Sequence, residues 1–438
     1  MEGEEDDDRI SHLPDCLLGN IVSLLPVKNA ACTMLLSRRW RHIWPSVPLD
    51  LYLDGSNRNL GSDGQSILRI LSSHGDGPIR RFHATISAHE TTSTWLHHLS
   101  NRRIDGSLVL KFVSHAAHPP LPRDLLRPSA GVLRHLELHC CCLDHQPGVP
   151  PPLHSLHYLH LSNVVTPEAS LHSMIAGCPA LRKLELFRVH NLRRLIPCSR
   201  TLVEVYIRPH VPLEEVSFRG TPNLENIVLL YADIWRLCPD IFVEDALPPK
   251  VRKVALTLPM LHSPNFVITP KRSVSIITTL ILNMKFSDGE ELRKAANMLR
   301  LFPCLQVLQI WCLAFEWTDK HAFGRWQPAA DTITCLNERL KNVELHGYYG
   351  TVGEVQFAGF LMAGAKALRA MRILHGSKLR DERINTMKSL ILKGGKASPE
   401  AQLGFAWRSD IPTVRLDLES YSLRSELLVL NLSRYKCI

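Results

Sequence analysis

The feature of this sequence that most constrains its fold is a recurring pattern of three leucines, L-x-x-L-x-L. Strict versions begin at Leu133, Leu156 and Leu181, with spacings of 23 and 25 residues. The second and third leucines alternate with other residues, as they do along a β-strand that buries one face. A single unit of this length cannot bury its own leucines, so neighbouring units must stack on one another.

The spacing is that of leucine-rich repeats, which recur about every 20–29 residues. Because 45% of the residues are hydrophobic, looser matches also arise by chance, so the regular spacing carries the inference. A proline two residues before the first leucine recurs as a lead-in at Leu181, Leu224 and Leu305. The sequence predicts an α/β solenoid with one short strand per repeat. The looser versions begin at Leu202, Leu213, Leu224, Val251, Ile277, Leu305, Leu340 and Leu368.

The N-terminal segment 9–44 has a different, helical periodicity. Leu13, Leu17 and Ile21 recur at intervals of four residues, which predicts an amphipathic helix that begins near Pro14 and stops at Pro26. About forty residues make a poor independent core. The apolar face is therefore buried against something else, either the repeats, as a terminal cap, or a partner protein.

The same segment has a recurrent set of short motifs, which are Leu13-Pro14, Leu17-Leu18, Ile21, Leu24-Leu25-Pro26, Lys28, Ala31, Thr33, Leu36-Ser37, Arg38-Arg39-Trp40-Arg41 and Trp44. By these motifs residues 9–45 strongly resemble the F-box of plant proteins. The resemblance implies a three-helix domain that docks on a Skp-type adaptor of a cullin–RING ubiquitin ligase. For two tryptophans, Trp40 and Trp44, a place in the core of the domain and a place in the interface remain equally open. The residues that the resemblance assigns to the adaptor interface are Leu13, Pro14, Leu17, Leu18, Ile21, Leu25, Pro26, Val27, Trp40 and Trp44.

Residues 299–376 resemble the FBD region that follows leucine-rich repeats in many plant F-box proteins. The matching stretches include residues 301–308, 340–345 and 347–351, and they are typical of a strand, a turn, a helix and a second strand. The fold is therefore expected to be α/β, with a short F-box, a leucine-rich-repeat solenoid and an FBD-type terminal repeat. The expected segments are an acidic disordered tail at 1–8, the F-box at 9–50, a loop or linker at 51–78, the repeats at 79–298, the FBD-like region at 299–376 and an unassigned segment at 377–438.

The outward-facing residues of the repeat strands are the candidate capture surface, because solenoids bind partners on their concave strand face. Tyrosine, tryptophan and arginine are enriched among residues that dominate binding energy. Ordinary solvent exposure remains the alternative for each position. The candidate substrate-binding residues are Tyr158, Phe187, Tyr206, Arg208 and Trp311.

The sequence offers little evidence of catalytic or metal chemistry. It contains no P-loop, no G-x-S-x-G and no H-E-x-x-H motif, and none of its twelve cysteines forms a C-x-x-C pair. The best metal candidate is the group formed by Cys140, Cys141 and Cys142 with His135, His139 and His145. Adjacent strand residues point to opposite faces, so the three cysteines cannot all bind one ion. We therefore expect no metal, no cofactor and no enzymatic activity.

Charge and hydropathy limit the compartment and the partners. The net charge is +9, although six acidic residues precede Arg9, and the basic residues are scattered rather than clustered. The apolar runs at 273–284 and 305–315 are shorter than the ~20 residues that span a bilayer. We expect an intracellular protein of the nucleus or cytoplasm that binds no membrane and no nucleic acid.

Two hypotheses of function follow. The first is a non-catalytic substrate-recognition subunit of an SCF-type ubiquitin ligase, which binds a Skp-type adaptor and an unknown protein substrate. The second is a leucine-rich-repeat binding or scaffold protein that acts outside ubiquitination. Solvent exposure of Leu13, Leu17 and Ile21 would favour the first, because an exposed apolar stripe indicates a partner.

Overall fold

The structure is a computed structural model in which the chain divides into two compact units, residues 1–280 and 281–438. The acidic tail at 1–8 and residues 408–438 lie outside the described part of the chain. The described residues are 10, 12–53, 64–86, 92–113, 118–129, 131–143, 153–209, 211, 213–229, 247–257, 274–284, 286, 289–312, 332–375 and 381–407.

The first unit begins with short helices. Helices α1 (Asp15–Ser23), α2 (Val27–Cys32) and α3 (Trp40–Ser46) lie within residues 12–46, with a 3-10 turn at Thr33–Leu35. Pro14 is the N-cap of α1 and Pro26 the N-cap of α2, so the prolines separate the helices as the sequence predicts. Leu18, Val22, Ile43 and Trp44 are among the residues that form the small core.

The repeats of the first unit build a parallel sheet. Its strand order is β1-β2-β3-β4-β5-β6-β8-β10-β11, and every adjacent pair is parallel. β7 and β9 form a separate parallel pair. The elements are β1 (Leu49–Leu53), α4 (Gly64–His74), β2 (Ile79–Ile86), α5 (Thr92–Ser100), β3 (Ile104–Phe112), β4 (His135–His139), β5 (Tyr158–Ser162), α6 (Glu168–Ala176), β6 (Lys183–Phe187), β7 (Arg194–Leu195), β8 (Glu204–Arg208), β9 (Glu215–Val216), β10 (Asn226–Leu229) and β11 (Lys253–Thr257).

The second unit continues the alternation of strands and helices. Its strands follow the order β12-β13-β14-β15-β16, with parallel pairing from β13 to β16. The last helix and strand lie in the segment that the sequence left unassigned. The elements are β12 (Thr279–Met284), α7 (Gly289–Leu301), β13 (Val307–Cys312), α8 (Thr334–Glu338), β14 (Asn342–Tyr348), α9 (Val352–Gly364), β15 (Ala370–His375), α10 (Asp381–Leu392) and β16 (Gln402–Trp407).

The leucine pattern predicts the strands well. Each strict version begins two residues before a strand, and the loose versions do the same, including Leu213 before the short β9. The lead-in is a turn in which the first leucine N–H donates to the carbonyl three residues earlier, as from Leu181 to Cys178 at 3.1 Å and from Leu224 to Thr221 at 3.1 Å. These leucines are fully buried, so the pattern records one inward-facing row.

A left-handed residue ends three consecutive strands. Cys140, Asn163 and Arg188 each follow a strand directly and have φ of 53°, 53° and 50°. Asparagine adopts this conformation more readily than most residues. The Asn163 amide donates to Cys140 Sγ at 3.4 Å, so neighbouring turns are connected laterally.

One expected boundary is wrong. Residues 51–78 were expected to be a loop or linker, but they hold the end of β1 and the whole of α4. The polar turn formers at 54–63 lie outside the described residues. The helix α4 was not predicted because polar residues dominate its sequence, although Ile67 and Leu71 are buried.

None of the helices in the described ranges combines the length and the apolar character required to cross a membrane.

A capping box fixes the start of α9 in the second unit. Glu354 is buried, and its carboxylate accepts hydrogen bonds from the N–H of Thr351 at 2.8 Å and of Tyr349 at 3.1 Å. We expect Glu354→Ala to destabilise the second unit by about 2 kcal/mol, because two backbone donors lose their buried side-chain acceptor. Urea unfolding checks this, with Glu382→Ala, an exposed glutamate in the first turn of α10, as the control. Equal midpoints for the two variants would contradict it.

Candidate functional sites

An exposed apolar face lies on α1. Leu17 and Ile21, one helical turn apart, are 46% and 42% exposed, and Leu24 just beyond the helix is 86% exposed. The opposite side of α1 is the buried side, where Leu18 and Val22 contact the core. Contiguous apolar side chains on the surface of a soluble domain indicate an interaction site.

The other residues assigned to the adaptor interface divide into two groups. Leu18, Trp40 and Trp44 are buried in the unit's own core, so they support the exposed face and their side chains are not free on it. The exposed members are Pro14, Leu17, Ile21, Leu25 and Pro26, and the half-buried members are Leu13 and Val27.

Two further leucines of the helical segment are exposed and were not assigned from the sequence. Leu35 is 85% and Leu36 is 66% exposed. Leu36 lies four residues before Trp40, and in one continuous helix the two would share a face. The helix begins only at Trp40, and the 3-10 turn before it rotates Leu36 away from the core. The sequence signal that could have identified these exposed leucines is their position directly before the polar Ser-Arg-Arg segment.

The charge of this segment is mostly positive. Its one acid, Asp15, is paired with Arg39, whose Nε donates to the Asp15 carboxylate at 2.7 Å. Arg39 also donates to the Leu13 carbonyl, which ties the start of α1 to the segment before α3. Lys28, Arg38 and Arg41 are exposed.

A buried histidine joins the helical segment to the repeats. His74, at the end of α4, donates from Nε2 to the Val47 carbonyl at 2.8 Å, and its Nδ1 accepts from Arg102 at 3.0 Å. Its ring lies edge-on to Trp44, with centroids 5.0 Å apart. A neutral imidazole makes both bonds, because Nε2 carries the proton and Nδ1 accepts. Protonation of Nδ1 would remove that acceptor and break the bond from Arg102.

This geometry gives a prediction for pH. Burial and the charge of Arg102 lower the pKa of His74, against the effect of its bond to Val47. The unfolded state therefore binds the proton more readily, so stability is kept above pH ~6.5 and lost as the pH falls. We expect wild type to lose about 1 kcal/mol more than His74→Gln between pH 7.5 and 5.5 in urea unfolding. Parallel pH profiles for the two proteins would contradict this.

The outward face of the sheet in the first unit is polar and in register. Each five-residue strand presents three outward positions, and the parallel pairing aligns them into rows across β4, β5, β6 and β8. The middle row is buried, because side chains on both neighbouring strands and in the two outer rows surround it. It consists of Glu137, His160, Glu185 and Tyr206.

The middle row is held together by hydrogen bonds. His160 Nδ1 lies 2.8 Å from Glu185 Oε2, and the Tyr158 hydroxyl donates to the same oxygen at 2.7 Å. Burial raises the pKa of the Glu185 carboxyl, but the contacts with His160 outweigh it and hold the pKa below its usual range. The sequence predicts an accessible surface of outward-facing strand residues, but the middle row of this face is buried.

The candidate substrate-binding residues occupy parts of the same face. Tyr158, Phe187 and Arg208 are half-buried on β5, β6 and β8, and Phe187 is the register partner of Arg208. Tyr206 is buried, with the Lys183 ammonium 4.8 Å from its ring centre. Trp311 belongs to the second unit and stacks on His346 at 4.3 Å. Four of the five therefore share one sheet face.

The cysteine cluster has no shared ligand geometry in the described part of the chain. Cys141 is buried, and burial raises the pKa of its thiol well above the usual range. Cys140 and Cys142 are half-buried on either side of it. Burial therefore keeps the Cys141 thiol in its neutral form.

Comparison with known protein families identifies three consecutive domains. Residues 10–52 match the model of the F-box domain, residues 92–310 match the model described as "FBD-associated F-box protein At5g56370, LRR repeats", and residues 327–373 match the FBD model. The repeat model alone covers half of the chain. The chain therefore belongs to the plant family of F-box proteins with leucine-rich repeats and an FBD region.

Individual relatives come from Arabidopsis thaliana. F-box/FBD/LRR-repeat protein At4g26340 is 26% identical over 421 residues, which cover 87% of this chain and 96% of that protein. F-box/FBD/LRR-repeat protein At5g22700 is 33% identical over 196 residues, which cover 42% of each chain. The order of domains predicted from the sequence is confirmed.

Proposed function

We propose that this chain is the substrate-recognition subunit of an SCF-type ubiquitin ligase, and that it performs no bond chemistry of its own. The observation that carries the proposal is the exposed apolar face formed by Leu17, Ile21 and Leu24, within a segment that matches the F-box domain. F-box domains generally bind Skp-type adaptors. The exposed basic residues around this face favour an acidic partner through electrostatic steering.

The proposed role of the repeats is substrate capture. In a solenoid of stacked repeats the polar sheet face of the first unit would be the concave one, with Phe187 and Arg208 as accessible anchors. Holding a substrate near a charged ubiquitin-conjugating enzyme lowers the entropic cost of transfer, and the acceptor lysine belongs to the substrate. This role implies residence in the nucleus or the cytoplasm.

The test is co-expression of the full chain with a plant Skp-type adaptor, followed by affinity purification and sizing. We expect a soluble complex with one copy of each protein. A monodisperse chain that does not bind the adaptor would overturn the proposal and favour a repeat scaffold that acts outside ubiquitination, with the helices as a terminal cap.

A further inference from the structure

The register of β4 and β5 brings three possible metal ligands together. Glu137 and His139 are two residues apart on β4 and so point to the same face. His160 is the register partner of Glu137 on β5. One ligand atom from each of the three side chains lies within 4.8 Å of the other two.

Two of these side chains have a buried nitrogen atom without a hydrogen-bond partner in the described part of the chain. Nε2 of His139 and Nε2 of His160 are buried, and neither has a hydrogen-bond partner within the described parts of the chain. The His160 side chain is only 2% exposed. A buried polar atom without a partner loses its hydration and is costly. The two nitrogens therefore indicate a group that the polypeptide does not supply.

The surroundings of His160 orient it as a ligand. Its Nδ1–H donates to Glu185 Oε2 at 2.8 Å, and that oxygen is held in turn by the Tyr158 hydroxyl. Because a carboxylate oxygen only accepts, Nδ1 carries a proton, and Nε2 is the nitrogen left for a ligand. A carboxylate behind a histidine is the usual support of a metal-bound imidazole.

The two carboxylate oxygens of Glu137 have different neighbours. His135 Nε2 contacts Glu137 Oε1 at 2.8 Å, while Glu137 Oε2 lies 3.6 Å from His139 Nε2. Ligand atoms around a tetrahedral zinc ion with bonds of about 2.1 Å are roughly 3.4 Å apart. This edge of the site therefore has nearly the required length, and one ligand atom of His160 lies within 4.8 Å of the other two.

We propose that Glu137, His139 and His160 bind one divalent transition-metal ion of the zinc type on the outward face of the first unit. Two imidazole nitrogens and one carboxylate oxygen are a typical zinc donor set, with a water molecule as the fourth ligand. The site does not depend on a role in ubiquitination.

Lys111 is the competitor of the ion. Its ammonium lies 3.8 Å from Glu137 Oε2, on the strand next to β4. A metal ion at this oxygen would displace the ammonium. Removing the lysine charge is therefore expected to tighten metal binding, whereas a purely structural role of the cluster gives no such effect.

The experiment is titration of the metal-free full chain under reducing conditions, with Zn²⁺ by calorimetry and with Co²⁺ by visible absorption. We expect one ion per chain at this site, with the tetrahedral cobalt bands and without the near-ultraviolet band of cobalt–thiolate bonds. His139→Asn, which removes a nitrogen that makes no hydrogen bond, should weaken binding at least tenfold. Lys111→Met should strengthen it.

The matched control is His346→Asn. His346 also faces a carboxylate, Glu344, at 3.3 Å, but it belongs to no three-ligand group in the described ranges. The His346→Asn variant should bind the metal ion with the affinity of wild type. The proposal is overturned if the folded chain binds no stoichiometric ion, if His139→Asn binds as tightly as wild type, or if the cobalt spectrum is that of thiolate ligands.

Discussion

Leu17→Asp is expected to lower the affinity for a Skp-type adaptor at least about 100-fold, and Ile21→Asp to have a similar effect. Both side chains lie at the centre of the exposed face on α1. An aspartate there would be desolvated in the complex without a partner, which costs several kcal/mol. A 100-fold loss corresponds to about 2.7 kcal/mol. Surface plasmon resonance with immobilised adaptor measures the change.

Both substitutions should leave the fold intact, because the side chains of Leu17 and Ile21 are already partly exposed to solvent. Leu390→Asp is the matched control, since Leu390 lies on a helix of the second unit and is 50% exposed. It should bind the adaptor as wild type does, and all three variants should melt within a few degrees of wild type. Wild-type affinity in both Leu17→Asp and Ile21→Asp would show that the assigned face is wrong.

The strands were predictable from the sequence because their buried residues repeat. The pattern that begins at Leu133, Leu156 and Leu181 is weak in any one unit, but its regular spacing makes it recognisable. The turn before each of these leucines recurs with the pattern. The exposed face on α1 was predictable for a different reason. More leucines recur there than a segment of this size can bury, so some had to remain outside.

Other parts depend on contacts that no local pattern contains. Glu137 and His160 look like ordinary surface residues, and their burial follows only from the alignment of neighbouring strands. The helix α4 has a largely polar sequence, and its stability depends on the burial of Ile67 and Leu71. The sequence left open whether Trp40 and Trp44 lie in the core or in the interface, because aromatic residues occur in both.

The junction between the helical segment and the repeats depends on a glycine. Gly77 lies between α4 and β2, where a Cβ would be 1.9 Å from the Pro45 carbonyl oxygen and 2.6 Å from Cε1 of His74. The Gly77 carbonyl also accepts a hydrogen bond from Arg102. The backbone of α3 therefore approaches this position too closely for any side chain.

Gly77→Ala is expected to destabilise the first unit by about 3 kcal/mol or more. The clash is with backbone rather than with a flexible side chain, so α3 must move by roughly 1 Å or more, and overpacking of this kind costs ~1–3 kcal/mol even where side chains can adjust. The movement would also strain the contacts of His74 with Val47 and Trp44. Urea unfolding followed by tryptophan fluorescence measures the loss, because Trp44 reports on this junction.

Gly131→Ala is the control for the same chemical change. A Cβ added at Gly131 meets nothing within 4 Å in the described part of the chain, so this variant should unfold within about 0.5 kcal/mol of wild type. If Gly77→Ala were as stable as Gly131→Ala, the helical segment would not be packed on the repeats at Pro45. The exposed face on α1 would then belong to a loosely attached domain, and its orientation toward a substrate held on the repeats would not be fixed by this contact.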